Sequence, residues 1–397
     1  MHASDDDHAA LARCVGDVDR FAAEVWGRAA LLCRSSSGEG FGDLFGLEAV
    51  DSLLTSTVLR LPSFRLVQDG TPLDPGRYTR RMRLGGRWID DVADPAKVSA
   101  RFGEGATLVL QGLHRYWLPL ARFCRSLERA LGHAVQANAY VTPAGAQGLG
   151  LHADDHDVFT LQVLGSKAWT AYAPEADPAA GASPVLDLEV APGDTMYLPR
   201  GARHSARTTE SPSIHLTIGV LGTSWSAVLD AALASVEAEV GLERPLPFGW
   251  AGDEAGFSAA VEVWLREAAA ALASVDAGAV AAAVRRGAPD RRGPLPVGSF
   301  SSLVRLAWLS DATVLRRREG AVAEVVPEGD LVALVLADRT LRMPAALEPV
   351  LRAVVSASSG PTGGVRGADL GDGVLDGAGR QVLLRRLVRE GLLEAVG

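Results

Sequence analysis

The 397-residue sequence contains very little lysine and very little cysteine. Of its 39 basic residues, only Lys97 and Lys167 are lysines. The three cysteines, Cys14, Cys33 and Cys124, are scattered without a C-x-x-C pair, which excludes a zinc ribbon and favours a reducing compartment. No apolar run reaches the roughly 18 residues of a membrane span. The acidic start "MHASDDDHAA" lacks the basic segment of a signal peptide. We therefore expect a cytoplasmic protein.

Basic residues are also fewer than acidic ones, so the formal net charge at pH 7 is -9. This balance argues against a general nucleic-acid binder, although it is compatible with a local basic patch. The chain is long enough for two or three domains and can bury a large core without disulfides.

The spacing of apolar residues changes twice along the chain. Before residue 134 short helical and strand patterns alternate, and the apolar spacing of 17–33 predicts a helix there. From 134 to 222, strand-like runs punctuated by Gly, Pro and Asp turns predict an antiparallel barrel or jelly roll. After 223 the chain becomes helical and alanine-rich, and residues 288–299 have the composition of a linker.

The last hundred residues mix short strands with helices, an order typical of a small α+β module such as a winged helix. We predict an α+β protein with three parts. They are a barrel domain with its N-terminal elements (1–222), a helical region (223–297) and a winged-helix-like domain (298–397).

The segment "GLGLHADDHDVFTLQVLGSKAW" carries unusually many polar groups for a strand-like region. Alternate residues of a strand share a face, so His152 and Asp154 can point the same way. An H-x-D pair at a barrel rim supplies two ligands of a 2-His-1-carboxylate triad, which leaves positions open on Fe(II). A lone H-x-D pair is also a common surface hydrogen bond.

Spacing alone does not decide which histidine is the third ligand. His204 follows a Gly-containing turn 50 residues after Asp154, whereas His215 lies inside a strand pattern. His152 and His156 also have the i, i+4 spacing of a helical zinc pair, but the glutamate base of that motif is missing and the adjacent sequence is strand-like.

Three further motifs follow the same order as in one known family. "NAYVTP" precedes the H-x-D pair, "QVLGSKAW" follows it, and "GDTMYLPRGARH" and "SIHLTIG" complete the series over about 90 residues. The chain closely resembles the JmjC-type cupin family of ribosomal oxygenases, which are Fe(II)- and 2-oxoglutarate-dependent hydroxylases. The resemblance implies a double-stranded β-helix, a helical dimerisation region and a C-terminal winged-helix-like domain. In two places the sequence departs from the family pattern: His156 stands where an apolar residue is usual, and "GLGLH" replaces the usual "PPH".

The resemblance also implies roles for individual residues. His152, Asp154 and His204 correspond to the iron ligands, and no catalytic residue beyond the metal centre is expected. Lys167 corresponds to the residue that pairs with the distal carboxylate of 2-oxoglutarate. Tyr140 and Asn138 correspond to residues that bind the cosubstrate. Ser213 and His215 correspond to residues that contact substrate or cosubstrate.

The leading hypothesis is a dioxygenase that uses Fe(II), 2-oxoglutarate and O2 to hydroxylate a side chain of a protein or peptide. A histidine or arginine of a ribosomal protein is the first guess. One alternative is a peptide or amino-acid hydroxylase of a biosynthetic pathway, and another is a non-catalytic metal- or ligand-binding cupin. DNA binding by the arginine-rich segment 379–397 is disfavoured by Glu390, Glu394 and the overall acidity. The alanine-rich helices predict a homodimer, and no membrane partner is expected.

Overall fold

The computed structural model describes residues 5–35, 40–147, 149–286, 297–337, 339–356, 364–370 and 374–396. The chain divides into two compact units, Met1–Gly222 and Thr223–Gly397. The second unit contains both the helical region and the C-terminal module, and the proposed boundary between 297 and 298 stays a prediction. Most of the proposed linker lies outside the described residues.

The first unit is built mainly of antiparallel strands. Its helices are α1 (Asp5–Val15), α2 (Val18–Arg20), α3 (Leu47–Thr55), α4 (Pro95–Gly103) and α5 (Leu118–Leu131). Its strands are β1 (Leu31–Cys33), β2 (Phe64–Gln68), β3 (Thr71–Pro72), β4 (Thr79–Leu84), β5 (Arg87–Ala93), β6 (Thr107–Leu110), β7 (Ala134–Thr142), β8 (Asp157–Leu164), β9 (Lys167–Ala171), β10 (Leu186–Val190), β11 (Thr195–Leu198), β12 (His204–Thr208) and β13 (Ser213–Leu221).

Two sheets of unequal size form the barrel. The larger has the order β1-β11-β8-β13-β7-β6-β2-β3, and the smaller has the order β10-β9-β12. The apolar face of the amphipathic helix α5 buries Leu120, Phe123 and Leu127, which belong to the same core cluster as Phe159 and Leu216 of the large sheet. The opposite face of the large sheet carries polar side chains at alternate positions. This pattern positions the site described below, because one sheet face supplies the core and the other supplies a cavity wall.

The helix predicted over 17–33 is wrong beyond residue 25. A π-helical turn spans Phe21–Val25, and Gly27 then adopts a positive φ of 67° that ends the helical run. Residues Leu31–Cys33 instead form β1, which pairs with β11. The edge of the large sheet therefore overrides the local helical spacing.

The second unit has a helical part and a mixed part. Its helices are α6 (Trp225–Val240), α7 (Glu254–Ala273), α8 (Ala277–Arg286), α9 (Ser299–Arg305), α10 (Glu348–Ser356) and α11 (Gly377–Arg389). Its strands are β14 (Val314–Arg317), β15 (Ala323–Glu328), β16 (Leu331–Leu336), β17 (Thr340–Pro344), β18 (Val365–Arg366) and β19 (Leu393–Val396). The strands form two three-stranded sheets, in the orders β18-β14-β19 and β15-β16-β17.

The described helices differ from membrane spans in length and apolar character. None of them alone has both properties to the degree needed to cross a bilayer. The pair α7 and α8, bent by 84° at a short break, reaches that length and composition only when its two helices are taken together.

Candidate active site

A backbone bridge brings the three predicted metal ligands together. His152 and Asp154 lie in the segment between β7 and β8, and His204 is the first residue of β12. The His152 N–H donates to the His204 carbonyl at 3.1 Å, and the His204 N–H donates back at 2.7 Å. The Gly201 N–H donates to the Asp154 carbonyl at 3.0 Å. These bonds fix the loop before β8 against the start of β12.

The side chains of the triplet converge on one point. One potential ligand atom from each of His152, Asp154 and His204 lies within 4.8 Å of the other two, and His204 Nε2 is 3.6 Å from an Asp154 carboxylate oxygen. Each imidazole Nδ1 contacts a peptide carbonyl, that of Gly150 at 2.8 Å and that of Ala202 at 2.9 Å. Because a carbonyl can only accept, Nδ1 carries the proton and the lone pair of Nε2 is available to a metal.

Burial keeps the third ligand in the form that binds metals. His204 is buried, and desolvation lowers the pKa of its imidazole below the ordinary value. A neutral imidazole is the state that coordinates a cation. The two imidazoles and one carboxylate therefore match the donor set of an open 2-His-1-carboxylate site.

The two competing histidines lie outside this triplet. His156 Nδ1 contacts the Asp155 carboxylate at 2.8 Å, and its Nε2 packs over the backbone of Gly219, where a Cβ would come within 2.5 Å. His215 stacks on Tyr140 with ring centroids 4.9 Å apart and planes 3° from parallel. Residues 147–156 contain no helix in the described structure, so a helical zinc pair of His152 and His156 is excluded.

A cavity of about 360 Å³ opens beside the triplet. Four alternate residues of β7 line one wall: Gln136, Asn138, Tyr140 and Thr142. Facing side chains come from β13, β8 and β9. Asp154 is the one carboxylate among the described residues that line this cavity.

The Lys167 side chain lines the cavity, but the residue does not belong to the same strand as Val163. Alternation in the sequence predicts that Val163, Gly165 and Lys167 share one face of a single strand, and this prediction is wrong. Gly165 has a positive φ of 59°, and a Cβ there would collide with the Pro212 carbonyl oxygen, so the chain turns at a position that requires glycine. Lys167 consequently begins β9 in the smaller sheet.

The environment of Lys167 is almost dry. The residue is 3% exposed, and its Nζ donates to Thr142 Oγ1 at 3.0 Å. Burial lowers the pKa of its ammonium from 10.5 to about 7. Because Asp154 supplies the single carboxylate among the described lining residues, the remaining Nζ donors are available to an anionic ligand.

The other predicted site residues have different surroundings. Tyr140 is half-buried, and desolvation raises the pKa of its phenol, an effect partly offset by the nearby Arg65 guanidinium. Asn138 lines the cavity, and its Oδ1 accepts the Gly112 N–H at 2.9 Å. Ser213 is fully buried, 3.5 Å from Gln162 Nε2, and is not among the described lining residues, so its contact with a ligand stays a prediction.

Sequence reasoning missed several cavity residues, among them Arg65, Thr142 and Trp169. Thr142 is the threonine of the "NAYVTP" motif and continues the alternation of Asn138 and Tyr140, so the periodicity could have indicated it. Arg65 carried no such signal, because it lies in β2, which β6 separates from β7 in the sheet and which is distant from β7 in sequence.

Comparison with known proteins identifies the relatives of the barrel. Residues 114–228 match the sequence profile of the JmjC domain family. Ribosomal oxygenase 1 of Bos taurus is 30% identical over 253 residues, which cover 58% of this chain and 36% of that protein. The bifunctional lysine-specific demethylase and histidyl-hydroxylase NO66 of Drosophila persimilis is 28% identical over 244 residues, covering 57% of this chain and 34% of that protein. The chain thus spans about a third of the length of these relatives.

Solved structures show the same fold. The ribosomal oxygenase YcfD of Escherichia coli superposes with a TM-score of 0.52 at 17% identity, covering 96% of this chain and 99% of that one. YcfD has also been solved in complex with cobalt and 2-oxoglutarate. The predicted JmjC-type cupin fold with mixed α/β content is therefore confirmed.

The triplet predicts which substitutions remove the metal. His152→Ala, Asp154→Ala and His204→Ala should each weaken Fe(II) binding by more than the roughly 10- to 100-fold that outer-shell changes cost, because each removes a ligand. His156→Ala is the matched control and should retain the metal. Anaerobic equilibrium dialysis with Fe(II) measures both. Loss of iron from His156→Ala with retention in His152→Ala would show that the ligand assignment is wrong.

Proposed function

We propose that this chain, whose residues 114–228 match the JmjC domain family, is an Fe(II)- and 2-oxoglutarate-dependent dioxygenase that hydroxylates a side chain of a protein or peptide. One observation carries the proposal: an open His-Asp-His donor set shares a cavity with a buried lysine that has no carboxylate partner among the described lining residues. The first group fits a metal, and the second fits the far end of an anionic cosubstrate.

The donor set favours Fe(II) as the resident metal. Two neutral imidazoles and one carboxylate, arranged with open coordination positions, are typical of non-haem Fe(II) oxygenases. Bound iron, together with 2-oxoglutarate and O2, supplies the oxidation of an unactivated C–H bond. His152, Asp154 and His204 would hold the metal, and the carbonyls of Gly150 and Ala202 orient the two imidazoles through Nδ1.

The cavity wall suits a small dicarboxylate. Lys167 would pair with its distal carboxylate in a charge-assisted hydrogen bond, which is strong because little water reaches the site. Thr142 holds the ammonium in place at 3.0 Å. Tyr140 and Asn138 lie on the same wall, where the phenol can donate a second hydrogen bond to the cosubstrate.

The relatives suggest a substrate class. Two of the proteins compared above are named ribosomal oxygenases, and one is named a histidyl-hydroxylase. We therefore propose a side chain of a ribosomal protein as substrate, with histidine or arginine as the first candidates. YcfD was crystallised with cobalt and 2-oxoglutarate, which supports the same ligand pair for this chain.

Other functions receive less support. A biosynthetic peptide or amino-acid hydroxylase would use the same cavity chemistry and differs only in substrate. A non-catalytic cupin would not need a buried lysine without a carboxylate partner among the described lining residues, placed beside a complete set of three metal ligands. The free, unpaired state of the three cysteines agrees with a cytoplasmic location, which remains part of this proposal.

The reaction can be tested directly. Full-length protein is incubated aerobically with Fe(II), 2-oxoglutarate and ribosomal proteins, and peptides that gain one oxygen atom are identified by mass spectrometry. We expect hydroxylated peptide and succinate in equal amounts, with neither formed by Asp154→Ala. Failure to release succinate with any protein or peptide mixture would favour a binding protein instead.

Replacement of Lys167 should separate cosubstrate binding from metal binding. Lys167→Met keeps much of the apolar stem but loses a charged hydrogen bond of about 2–3 kcal/mol, so half-saturation by 2-oxoglutarate should rise about 30- to 150-fold. Iron affinity should be unchanged. Lys97→Met is the matched control, because Lys97 is the only other lysine and lies exposed on α4. An equal half-saturating concentration of 2-oxoglutarate in Lys167→Met and wild type would show that Lys167 does not bind the cosubstrate.

The lowered pKa of Lys167 predicts proton uptake. In the free protein most of this side chain is neutral above its pKa of about 7, and a bound carboxylate favours the ammonium. Affinity for 2-oxoglutarate should therefore be highest below pH 7 and fall as the pH rises above it, by up to about 10-fold per unit. Calorimetry of metal-loaded protein at pH 8, in two buffers of different ionisation enthalpy, should show uptake of nearly one proton. The same proton uptake by Lys167→Met would show that Lys167 is not the group that takes up the proton.

We propose that the region 223–297 is a dimerisation region and that 298–397 is winged-helix-like. Large apolar side chains are exposed along the helical part, including Trp225 (84% exposed), Leu229 and Leu246. A groove of about 780 Å³ beside Trp264 has Leu242, Leu246 and Val261 in its walls. A second copy of the chain, as the resemblance implies, would cover this apolar surface.

We predict that the protein is a homodimer and that a charged substitution in the apolar surface disrupts the dimer. Light scattering at micromolar concentration should give the mass of two chains for wild type and of one chain for Leu246→Asp. Val185→Asp, which places the same charge on an exposed valine of the first unit, should remain dimeric. A monomeric wild type would contradict the proposal.

A further inference from the structure

The hairpin of β4 and β5 concentrates positive charge in an acidic chain. Within Thr79–Ala93 there are four arginines and two aspartates, whereas the whole chain has a net charge of -9. The two strands form a two-stranded sheet of their own and belong to neither sheet of the barrel, although Val92 of β5 also bridges to Arg60. Gly85 and Gly86 both have positive φ, 54° and 80°, as a two-residue hairpin turn requires.

One face of this hairpin combines arginine with an exposed aromatic ring. Trp88 is 61% exposed and pairs directly across the strands with Arg83. The Arg81 guanidinium carbon lies 5.2 Å from the centroid of the Trp88 ring. Alternation places Arg81 and Arg83 on the same face, about 6.8 Å apart along the strand. The indole thus packs against the Arg81 guanidinium and lies opposite Arg83 on the neighbouring strand.

Most of this charge is not neutralised within the chain. Arg81 pairs with Asp90 at 2.5 Å, but within the described ranges Arg80, Arg83 and Arg87 have no ion pair, and all three side chains are exposed. The arginines of α11 differ, since Arg386 pairs with Glu390 at 2.7 Å. Arg380 of the same helix also lies 3.8 Å from an Asp311 carboxylate oxygen, so two of the four arginines of α11 have acidic partners.

We propose that the β4–β5 hairpin is a binding surface for single-stranded nucleic acid. Guanidinium groups bind phosphates through paired hydrogen bonds, and an exposed indole stacks on bases of any sequence. Trp88 lies opposite Arg83 across the two strands, so a phosphate bound by Arg83 would leave a neighbouring base within reach of the indole. An anionic membrane would also attract arginine, but it offers no ring for Trp88 to stack on.

The test is fluorescence anisotropy of a labelled RNA of about 20 nucleotides, rich in uridine, with the full-length protein at several salt concentrations. Arg83→Gln with Arg87→Gln should weaken binding and reduce the slope of log K against log salt by about 1.4, because each phosphate that an arginine neutralises contributes about 0.7. Trp88→Ala should weaken binding about 5- to 150-fold and leave the salt slope unchanged, because stacking is not ionic.

Matched controls separate this surface from general charge and from the metal site. Arg266→Gln with Arg285→Gln removes the same charge from exposed helical positions and should leave RNA affinity unchanged. Asp154→Ala should also bind RNA normally, so failure of the proposed hydroxylase does not bear on this result. Circular dichroism verifies that each variant is folded. Absence of RNA binding, an equal loss of affinity in the control variant, or binding to phosphatidylserine vesicles in place of RNA would overturn the proposal.

Discussion

Two backbone hydrogen bonds between His152 and His204 tie the loop before β8 to the smaller sheet, and the geometry of the whole site follows from them. They bring the H-x-D pair to a histidine that is 50 residues away in sequence. The same strand, β12, pairs His204 with Ala171 and Thr208 with Lys167. Because four residues of a strand span about 13 Å, one register sets the distance between the metal-binding end and the lysine end of the cavity.

The buried lysine is the costly part of this arrangement. Desolvation disfavours its ammonium and lowers its pKa to about 7, whereas an unfolded chain keeps the ordinary value of 10.5. The unfolded chain therefore binds more protons between these values, so this group makes the free protein less stable as the pH falls toward 7. A dicarboxylate ligand would reverse the effect, because it supplies the missing counter-charge. Stability of the folded site and affinity for the cosubstrate are thus linked through one side chain.

The sequence predicted the parts of the site that depend on local spacing. The H-x-D spacing placed His152 and Asp154 together, whereas Asn138 and Tyr140 came from the resemblance and lie on one wall at alternate positions of β7. The choice of His204 over His215 required the resemblance, because both follow turns or strands at plausible distances. The turn at Gly165 was missed, since neither its positive φ nor the Pro212 carbonyl that would collide with a Cβ there can be recognised from apolar periodicity. Arg65 and the exposed face of the hairpin were missed for a related reason: strand pairing and the location of charge in space do not follow from net composition.

The proposed activity requires an open metal position that faces an anion-binding end of the same cavity. The most direct measurement is the visible spectrum of the anaerobic Fe(II)-loaded protein during titration with 2-oxoglutarate. Chelation of the iron by the 2-oxo acid should produce a new charge-transfer band that saturates at one equivalent for each chain. Iron that stays bound while the spectrum does not change at any 2-oxoglutarate concentration would contradict this activity, because the ligand would then not reach the metal.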